Sequence, residues 1–590
     1  MLIDITMMRG EVPRIKDHLL PDEASTLSID CRFEHGIVAP RKGNEALGTL
    51  PSTPLALHKY GDNWLLWESD TVSVTGSPMA QDPYQRVYFT GDGKPKLTAQ
   101  DTAVSPNGFG PATSYDLGVS RPTSAPVVTN IDASTGENPP DGESASFDDE
   151  DRLYIQTYVT RFGEEGAPGE ASLSVLIEKP GSTVTVKLTQ PGVNTHNVAH
   201  TRLYRSVTST SDSDYLLVAE IPISNSHYVD SARDINGPVI ETWDYDVPPE
   251  NMQGICVMAN GICAGFAGNE VMFSEAYLPY AWPRAYRDTT EHEIVGIAPI
   301  GTSLVVVTKG YPYVFGGITP DAITGHKLDV EQSCISARSL VVISGMAMYA
   351  SPDGLVVVSS DDANVVTEPI IDRDSWQAFN PHSIHAVAVE GQYVAQGEGG
   401  GFIYDPLSQA FTRLTQTWDA AFTDLERDVL ITVQGNDYST WQQGHDDIPY
   451  VWRSKSFLMP VDCLMNSARI QSPTPEKAAA KFIADGQVVF ELAEGEIDGR
   501  AFRLPAVRAT TWQVEVSGTA EIERIKVASL GEANSLARYG VTGEKDNNRQ
   551  AQLSLATVSA KNGLRDHERD RSMKTLSGAG LGVKNYAKPQ

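Results

Sequence analysis

Short runs of alternating apolar and polar residues, each closed by Gly, Asn or Asp, dominate the chain. A period of two marks half-buried strands, and the closing residues mark hairpin turns. LALHKYGDNWLLWESDTVSV reads as two strands about Tyr60-Gly61-Asp62-Asn63, and RVYFTGDGKPKLT repeats the form with Gly91-Asp92-Gly93 at its turn. A helical period shows briefly, from Asp22 to Cys31, where Asp22 caps a turn bearing Ala24, Leu27 and Ile29.

A larger recurrence overlies these hairpins. ICVMANGICAGFAGNEVMF, IVGIAPIGTSLVVVTKGYPYVF, SLVVISGMAMYASPDGLVVV, IHAVAVEGQYVAQGEGGGFIY and AAFTDLERDVLITVQGNDYSTW each enter on an apolar strand, turn, and leave on a second. Their first turns fall at Gly261, Gly301, Gly345, Gly391 and Glu426, spaced by 40, 44, 46 and 35 residues. A period of about 40–50 residues with a few short strands each is that of β-propeller blades. Ordinary meanders in two sandwiches are the alternative. The unit about Gly61 has the same form, which places a first blade or blades at 55–125 and the rest at 251–455.

Between them, residues 120–150 are rich in Pro, Ser, Gly and acid, a linker composition. RLYIQTYVTRFGEEGAPGEAS, VTVKLTQPG, HTRLYRSVTS and YLLVAEIPI then follow as strands, and TYVTRFGEEGAPGE, TRLYRS and YLLVAEI together resemble a fibronectin type III module. The linker and this inserted β-sandwich occupy 126–250. After 455, KFIADGQVVFEL, AFRLPAV, TWQVEVSG and IERIKVASL suggest a small C-terminal β-sandwich over 456–542. An N-terminal segment, 1–54, precedes the blades, and an extended polar tail, 543–590, ends the chain. In that tail Lys and Arg outnumber Asp and Glu, and its composition suits ordering against a partner. The expected class is all-β: a propeller with an inserted fibronectin III-like β-sandwich, a C-terminal sandwich and a tail.

Composition narrows the functions. Forty-nine glycines and 36 prolines among 590 residues suit many turns. A net charge of −30 argues against gripping nucleic acid, because such binding needs cations to neutralise phosphates. Cys31, Cys256, Cys263, Cys334 and Cys463 are scattered and include no CxxC pair, so reduced thiols are expected rather than a disulfide framework or a zinc knuckle. The opening MLIDITMMRGEVPR lacks a signal-peptide core. The most apolar stretch, Ile255 to Phe273, is interrupted by Asn260, Gly261, Asn269 and Glu270, so no membrane insertion is expected.

Candidate chemistry is sparse. Ser351-Pro352-Asp353-Gly354 resembles part of an Asp-box, but Leu355 and Val356 follow where an aromatic belongs, and a plain β-turn explains it. His382 and His385, with Glu390 nearby, have a spacing that an extended segment would point to opposite faces. His196 and His200 read as surface histidines of the inserted module. Gly399-Gly400-Gly401 lacks the Lys and helix of a phosphate-binding loop. Trp282, Trp376, Trp418 and Trp452 fall at blade or domain junctions, where packing is the expected role. No catalytic, cofactor-binding or metal residues are assigned, and the expectation is a protein that is not an enzyme.

A series of phrases taken in order carries a resemblance: RGEVPRIKDHLLPDEASTLSIDCRFEHGIVAPRKG, DPYQRVYFTGDGKPKLT, YDLGVSRPTSAP, GNEVMFSEAYLPYAWP, SARSLVVISGMAMYASPDGLVVVSS, DSWQAFNP and VWRSKSFLMP. Together they resemble bacteriophage virion proteins of the tail-nozzle type (tail tubular protein B-like). The resemblance implies a structural subunit of the phage tail, assembled in the host cytoplasm. Six copies would form a ring below the tail adaptor or portal-side protein, in contact with tail fibre or tip proteins. The ring would wall the channel through which double-stranded DNA passes during ejection without specific binding. A neck, hub or tip connector of a longer tail, or a receptor-binding or glycan-cleaving propeller, is the alternative. Candidate channel-facing acids are Asp148, Asp149, Glu150, Asp151, Asp361 and Asp362.

Overall fold

A computed structural model describes residues 1–136, 150–179, 181–208 and 213–529; Asp148, Asp149 and the polar tail from 543 lie outside them. The elements are almost all strands, with one five-residue α-helix, Arg373–Gln377, among the described residues. The chain divides into two compact units. One comprises Arg9–Phe33 and Ala39–Lys455, the other Met1–Met8, Glu34–Val38 and the chain from Ser456.

Six small sheets and one four-stranded meander make up most of the first unit. Blade 1 is Ala56–Tyr60 and Asn63–Trp67, with Phe109–Gly110 added in parallel. Blade 2 is Ser73–Gly76, Val87–Thr90, Lys96–Thr98 and Tyr115–Asp116, and blade 3 is Gln253–Val257, Cys263–Ala267, Glu270–Phe273 and Arg287–Thr289. Blades 4 to 6 are four-stranded meanders beginning at Ile294–Ile300, Val341–Ile343 and His385–Val389. Blade 7 has Ala420–Asp424, Val429–Gln434 and Asp437–Thr440, and its outer strand is Glu45–Thr49 from the beginning of the chain. The glycines at the first turns, Gly61, Gly261, Gly301, Gly345 and Gly391, all have positive φ, which a Cβ would oppose.

The second strand of each blade is sandwiched between two neighbours, and its alternate residues go to opposite sides. In blade 4, Val305 and Val307 pack with Ala347 and Tyr349 of blade 5, whereas Leu304 and Val306 pack with Phe266 and Val271 of blade 3. The same holds at the other seams. Leu65 and Phe89 join blades 1 and 2, Tyr88 and Ile255 join 2 and 3, and Met348 and Tyr393 join 5 and 6. Val394 and Leu430 join 6 and 7, and Ile431, Val433, Leu57 and Trp64 join 7 back to 1. Seven blades and seven seams make a closed β-propeller. Burial on both faces explains why these strands read as continuous apolar runs.

The helical expectation over Asp22 to Cys31 is corrected: Ser25–Ile29 is a strand. It runs antiparallel to Tyr450–Ser454 and meets Ala410–Leu414 in parallel at Ile29 and Arg413. Backbone partners on both sides outweigh a local pattern held by one capping residue.

The insertion between blades 2 and 3 has one sheet of Val127–Asp132, Thr183–Lys187 and His227–Asp230 and another of Tyr154–Thr160, Val198–Thr208 and Ser213–Pro222. Tyr154, Ile177, Val184, Val186, Leu203 and Ile221 form the core between them. In the second unit, the long strand Phe457–Gln471 pairs first with Arg508–Gly518 and then, past a register shift, with Arg524–Ser529. Leu2–Ile5 adds an edge to Arg524–Ser529, and the Arg524 guanidinium holds both Asp4 carboxylate oxygens at 2.7 and 2.6 Å.

Two expected outcomes follow from the closing seam. Leu50, just after the closing strand and 2% exposed, packs in the cluster between blades 7 and 1, so Leu50→Ala should cost about 2–5 kcal/mol in denaturant unfolding. Lys59 of blade 1 donates to Asp424 of blade 7 at 2.6 Å, and this bond holds the Asp424 carboxyl below its ordinary value. A carboxyl depressed in the folded state contributes stability in full above its unfolded pKa and loses it as pH falls through the folded one. Asp424→Asn should therefore lower stability at neutral pH and flatten its decline through the carboxylate range, read as unfolding midpoint against pH.

Candidate functional site: the propeller tunnel and the clamped insertion

The first strands of six blades, with the approach to that of blade 5, surround a central cavity of about 740 Å³. Its wall includes Leu57 and His58 of blade 1, Ser73 of blade 2, Gln253 of blade 3, Ile297 of blade 4, His385 of blade 6 and Phe422 of blade 7. Leu340, next to the first strand of blade 5, completes the ring, and Arg338 lies beside it. The Arg338 Nη2 donates to the Asp419 carbonyl at 3.0 Å, to the Leu55 carbonyl at 3.4 Å and to His385 Nε2 at 3.4 Å. One guanidinium from the approach to blade 5 thus reaches blades 1, 6 and 7. Among the described residues no carboxylate lies within ion-pair distance of it, and burial pulls its pKa down.

The two half-buried tunnel histidines are neutral at ordinary pH. Burial lowers His58 to about 4, and burial together with the Arg338 charge lowers His385 to about 3. The His58 ring meets Phe422 edge-on at 5.5 Å, and His385 meets Trp418 at 6.0 Å. Because Arg338 can only donate, His385 Nε2 accepts, which leaves the proton on Nδ1. That buried Nδ1 has no hydrogen-bond partner.

A second set of buried charges fixes the insertion to blade 2. Arg86, before the second strand of that blade, donates to Asp82 Oδ2 at 2.7 Å and to Glu164 Oε1 of the insertion at 2.5 Å. Its guanidinium carbon lies 5.7 Å from the Tyr84 ring centre and 5.6 Å from that of Phe162. Burial, only partly offset by Arg86, raises the Glu164 carboxyl, while burial of Asp82 is outweighed by its Arg86 hydrogen bonds and its carboxyl is lowered. Arg161 forks onto Asp101 at 2.6 and 2.7 Å. Inside the insertion, Asp230 accepts from Tyr154 and Arg205, each at 2.8 Å, and is fully buried.

The residues singled out in the sequence fall into several settings. His382 and His385 both line the tunnel, with Glu390 at the far end of the blade 6 hairpin; among the described residues no group of three or more His, Cys, Asp or Glu is arranged to hold a metal. His196 is not a surface histidine: it is half-buried, with Nδ1 at 3.2 and 3.1 Å from the Asp116 and Gly118 carbonyls, another tie between insertion and blade 2. In the Ser351-Pro352-Asp353-Gly354 turn, Ser351 closes onto the Gly354 carbonyl. Trp282, Trp376, Trp418 and Trp452 are all buried. Glu150 holds Arg152 through both carboxylate oxygens, Asp151 accepts from Ser174, and Asp361 and Asp362 cap the turn between the third and fourth strands of blade 5. Arg338 and the Arg86–Glu164 clamp carry no signal in the sequence, since single arginines beside strands are ordinary.

The first-to-second connections of the blades, and the third-to-fourth connections of blades 2 to 6, emerge on the same face. Asn260 Nδ2 links two of them across a seam, donating to the Gly317 and Ile318 carbonyls at 3.3 Å each. Exposed apolar tips on this face are Tyr277 of blade 3, Ile318 of blade 4 (86% exposed), Leu407 of blade 6 (96%) and Leu425 of blade 7 (86%). Asp361, Asp362 and Glu426 stand among them.

No protein-family model and no curated protein sequence matches the chain. Among solved structures it is similar to the Neurospora crassa Pan2 WD40 domain, at 9% identity and a TM-score of 0.23, over 46% of this chain and 85% of that one. It is also similar to the AfRom2 CNH domain, at 7% identity and a TM-score of 0.22, over 53% and 93%. At such scores the propeller assignment rests on strand order and packing, not on the likeness.

Arg86→Met should leave Glu164 buried without its cation and cost about 3–5 kcal/mol. Limited proteolysis should then release the insertion before the propeller, whereas the native chain resists cleavage at the same dose.

Proposed function

We propose that this chain is a structural subunit of a bacteriophage tail, a nozzle-type ring protein that walls a DNA exit channel below the tail adaptor. The ordered phrases from RGEVPRIKDHLLPDEAS to VWRSKSFLMP are the sequence support. The observation that carries the reading furthest is the propeller face tipped with Tyr277, Ile318, Leu407 and Leu425. Exposed apolar side chains grouped on one face mark a contact surface, and a flat propeller face suits stacking on the next component of a tail. The buried Arg86–Glu164 clamp supports the same reading, because it fixes the insertion to blade 2.

In this proposal DNA passes between copies, not through a single propeller, whose tunnel of about 740 Å³ is the size of a small-molecule site. A closed ring of identical subunits is the arrangement that makes such a passage, and six copies are proposed. The charge of −30 suits a wall that centres the duplex by repulsion within a Debye length of about 8 Å and does not retain it. Asp361, Asp362, Glu150 and Asp151 remain proposed contributors to that wall. The insertion is proposed as a fibronectin III-like contact module, and the proposed neighbours are the adaptor and the fibre or tip proteins.

The test is assembly. Quantitative mass measurement of tails should give six copies, and Leu407→Asp with Leu425→Asp should yield folded subunits that fail to enter particles. Another copy number removes the hexamer, and normal incorporation of the double variant removes the apolar face as the docking surface.

A further inference from the structure

In the second unit, one face of a sheet runs against the charge of the chain. Across the paired strands Leu2–Ile5, Arg524–Ser529 and Phe457–Gln471, the register sets Asp4, Lys526 and Arg469 in one row. Side chains two residues apart share a face, so Arg524 joins that row's side, as does Arg503, which lies opposite Ser467. Four cations thus share a face with one carboxylate, in a chain of net charge −30. Asp4 accepts from Arg524 at 2.7 and 2.6 Å and lies 3.8 Å from the Lys526 Nζ, while the Arg469 Nε donates to the Gly499 carbonyl at 2.9 Å. Glu523, bonded to Gln471, and the exposed Asp498–Arg500 pair flank the face. Lys526 and Arg469 are directly opposite each other, and like charges so placed weaken a sheet. Burial and the Arg524 and Arg469 charges lower the Lys526 ammonium, against the pull of Asp4. A row that costs the fold stability is accounted for by an acidic partner laid over it.

The far end of the same strand path has the opposite sign. From Phe457–Gln471 the pairing continues through Arg508–Gly518 and Ala478–Ala484 to Gln487–Leu492, an edge strand among the described residues. Glu491 on that strand and Glu494 and Glu496 just beyond it are exposed. Lys481, which also meets Glu515, lies 3.8 Å from Glu491. We propose that the basic face docks on the acidic edge of a second copy of this chain. Turned on itself across a two-fold axis, the face would set cations on cations. The contact is therefore head to tail, the kind that closes a ring or continues as a filament. Exposed Arg503 and half-buried Arg469 reach the partner, and the deeper Arg524 and Lys526 add to the field. Duplex phosphates are a rival polyanion, but the rest of a chain of −30 repels them. The contact rests on charge and register alone, so it stands or falls apart from the tail reading.

The experiment uses the full chain. Sedimentation velocity follows a concentration series at low salt and at about 1 M sodium chloride, where the Debye length is about 3 Å. The expected result is association at low salt that is lost at high salt. Arg469→Glu with Arg503→Glu should weaken it at least about tenfold, since like charges across an interface reject a partner. Glu491→Lys with Glu494→Lys should do the same, and a chain carrying all four substitutions should associate again. No association of the native chain, or association indifferent to salt or to the arginine substitutions, overturns the proposal. Failure of the fourfold variant to associate overturns the acidic edge as the counterpart. Should Arg469→Glu fail to fold, the exposed Arg503→Glu alone decides: weaker association supports the contact, and unchanged association overturns it. Labelled duplex DNA is titrated at the same salts. Binding that the arginine variants lose while their association is unchanged gives the face to nucleic acid and overturns the self-contact.

Discussion

Every blade of this propeller has two faces to hide from water, so no blade can be the last. That constraint governs the first unit. A sheet such as blade 4 sends Val305 one way and Leu304 the other, and neither side chain is buried unless a neighbour stands on each side. The ring must therefore close, and it closes by giving blade 7 an outer strand from the beginning of the chain. The cluster of Leu50, Leu57, Trp64, Ile431 and Val433 is the apolar part of that joint, and Lys59 with Asp424 is its charged part.

With the apolar surface committed to the seams, attachment of the insertion falls to polar groups. Arg86, Asp82 and Glu164 are almost wholly buried, and burying charge is favourable only when partners are close and well oriented. Arg161 over the Tyr115 ring and His196 against two carbonyls add geometric restraint at the same joint. Such contacts tolerate little sliding, which distinguishes this junction from a hydrophobic one of equal area.

Much of the architecture was legible in the sequence because both signals behind it are local. Turns of Gly261, Gly301, Gly345 and Gly391 require positive φ, and the Val-rich runs require burial on two faces; both are written in adjacent residues. The strand at Ser25–Ile29 is not legible as one, because its partners lie more than 380 residues away, where no periodicity can register them. The tunnel site was illegible for a related reason. Arg338, Leu55, His385 and Asp419 come from four separate parts of the ring, and each residue alone is unremarkable. His382 and His385 stand out as a pair by their spacing, yet the side chain that His385 meets is an arginine from the preceding blade's approach.

The borrowed outer strand also sets an order of events during synthesis. Thr49 and Asp437, which face each other in the closed ring, are 388 residues apart. At about 5–20 residues per second, the ribosome spends roughly 20–80 s between them. Throughout that interval Glu45–Thr49 has no partner, and the first face of blade 1 has nothing to cover it. The seams from blade 1 to blade 6 can form as the chain emerges, whereas closure waits for almost the whole propeller. The nascent protein is thus an open arc with two sticky ends, and the time it spends in that form is fixed by translation rather than by the speed of folding.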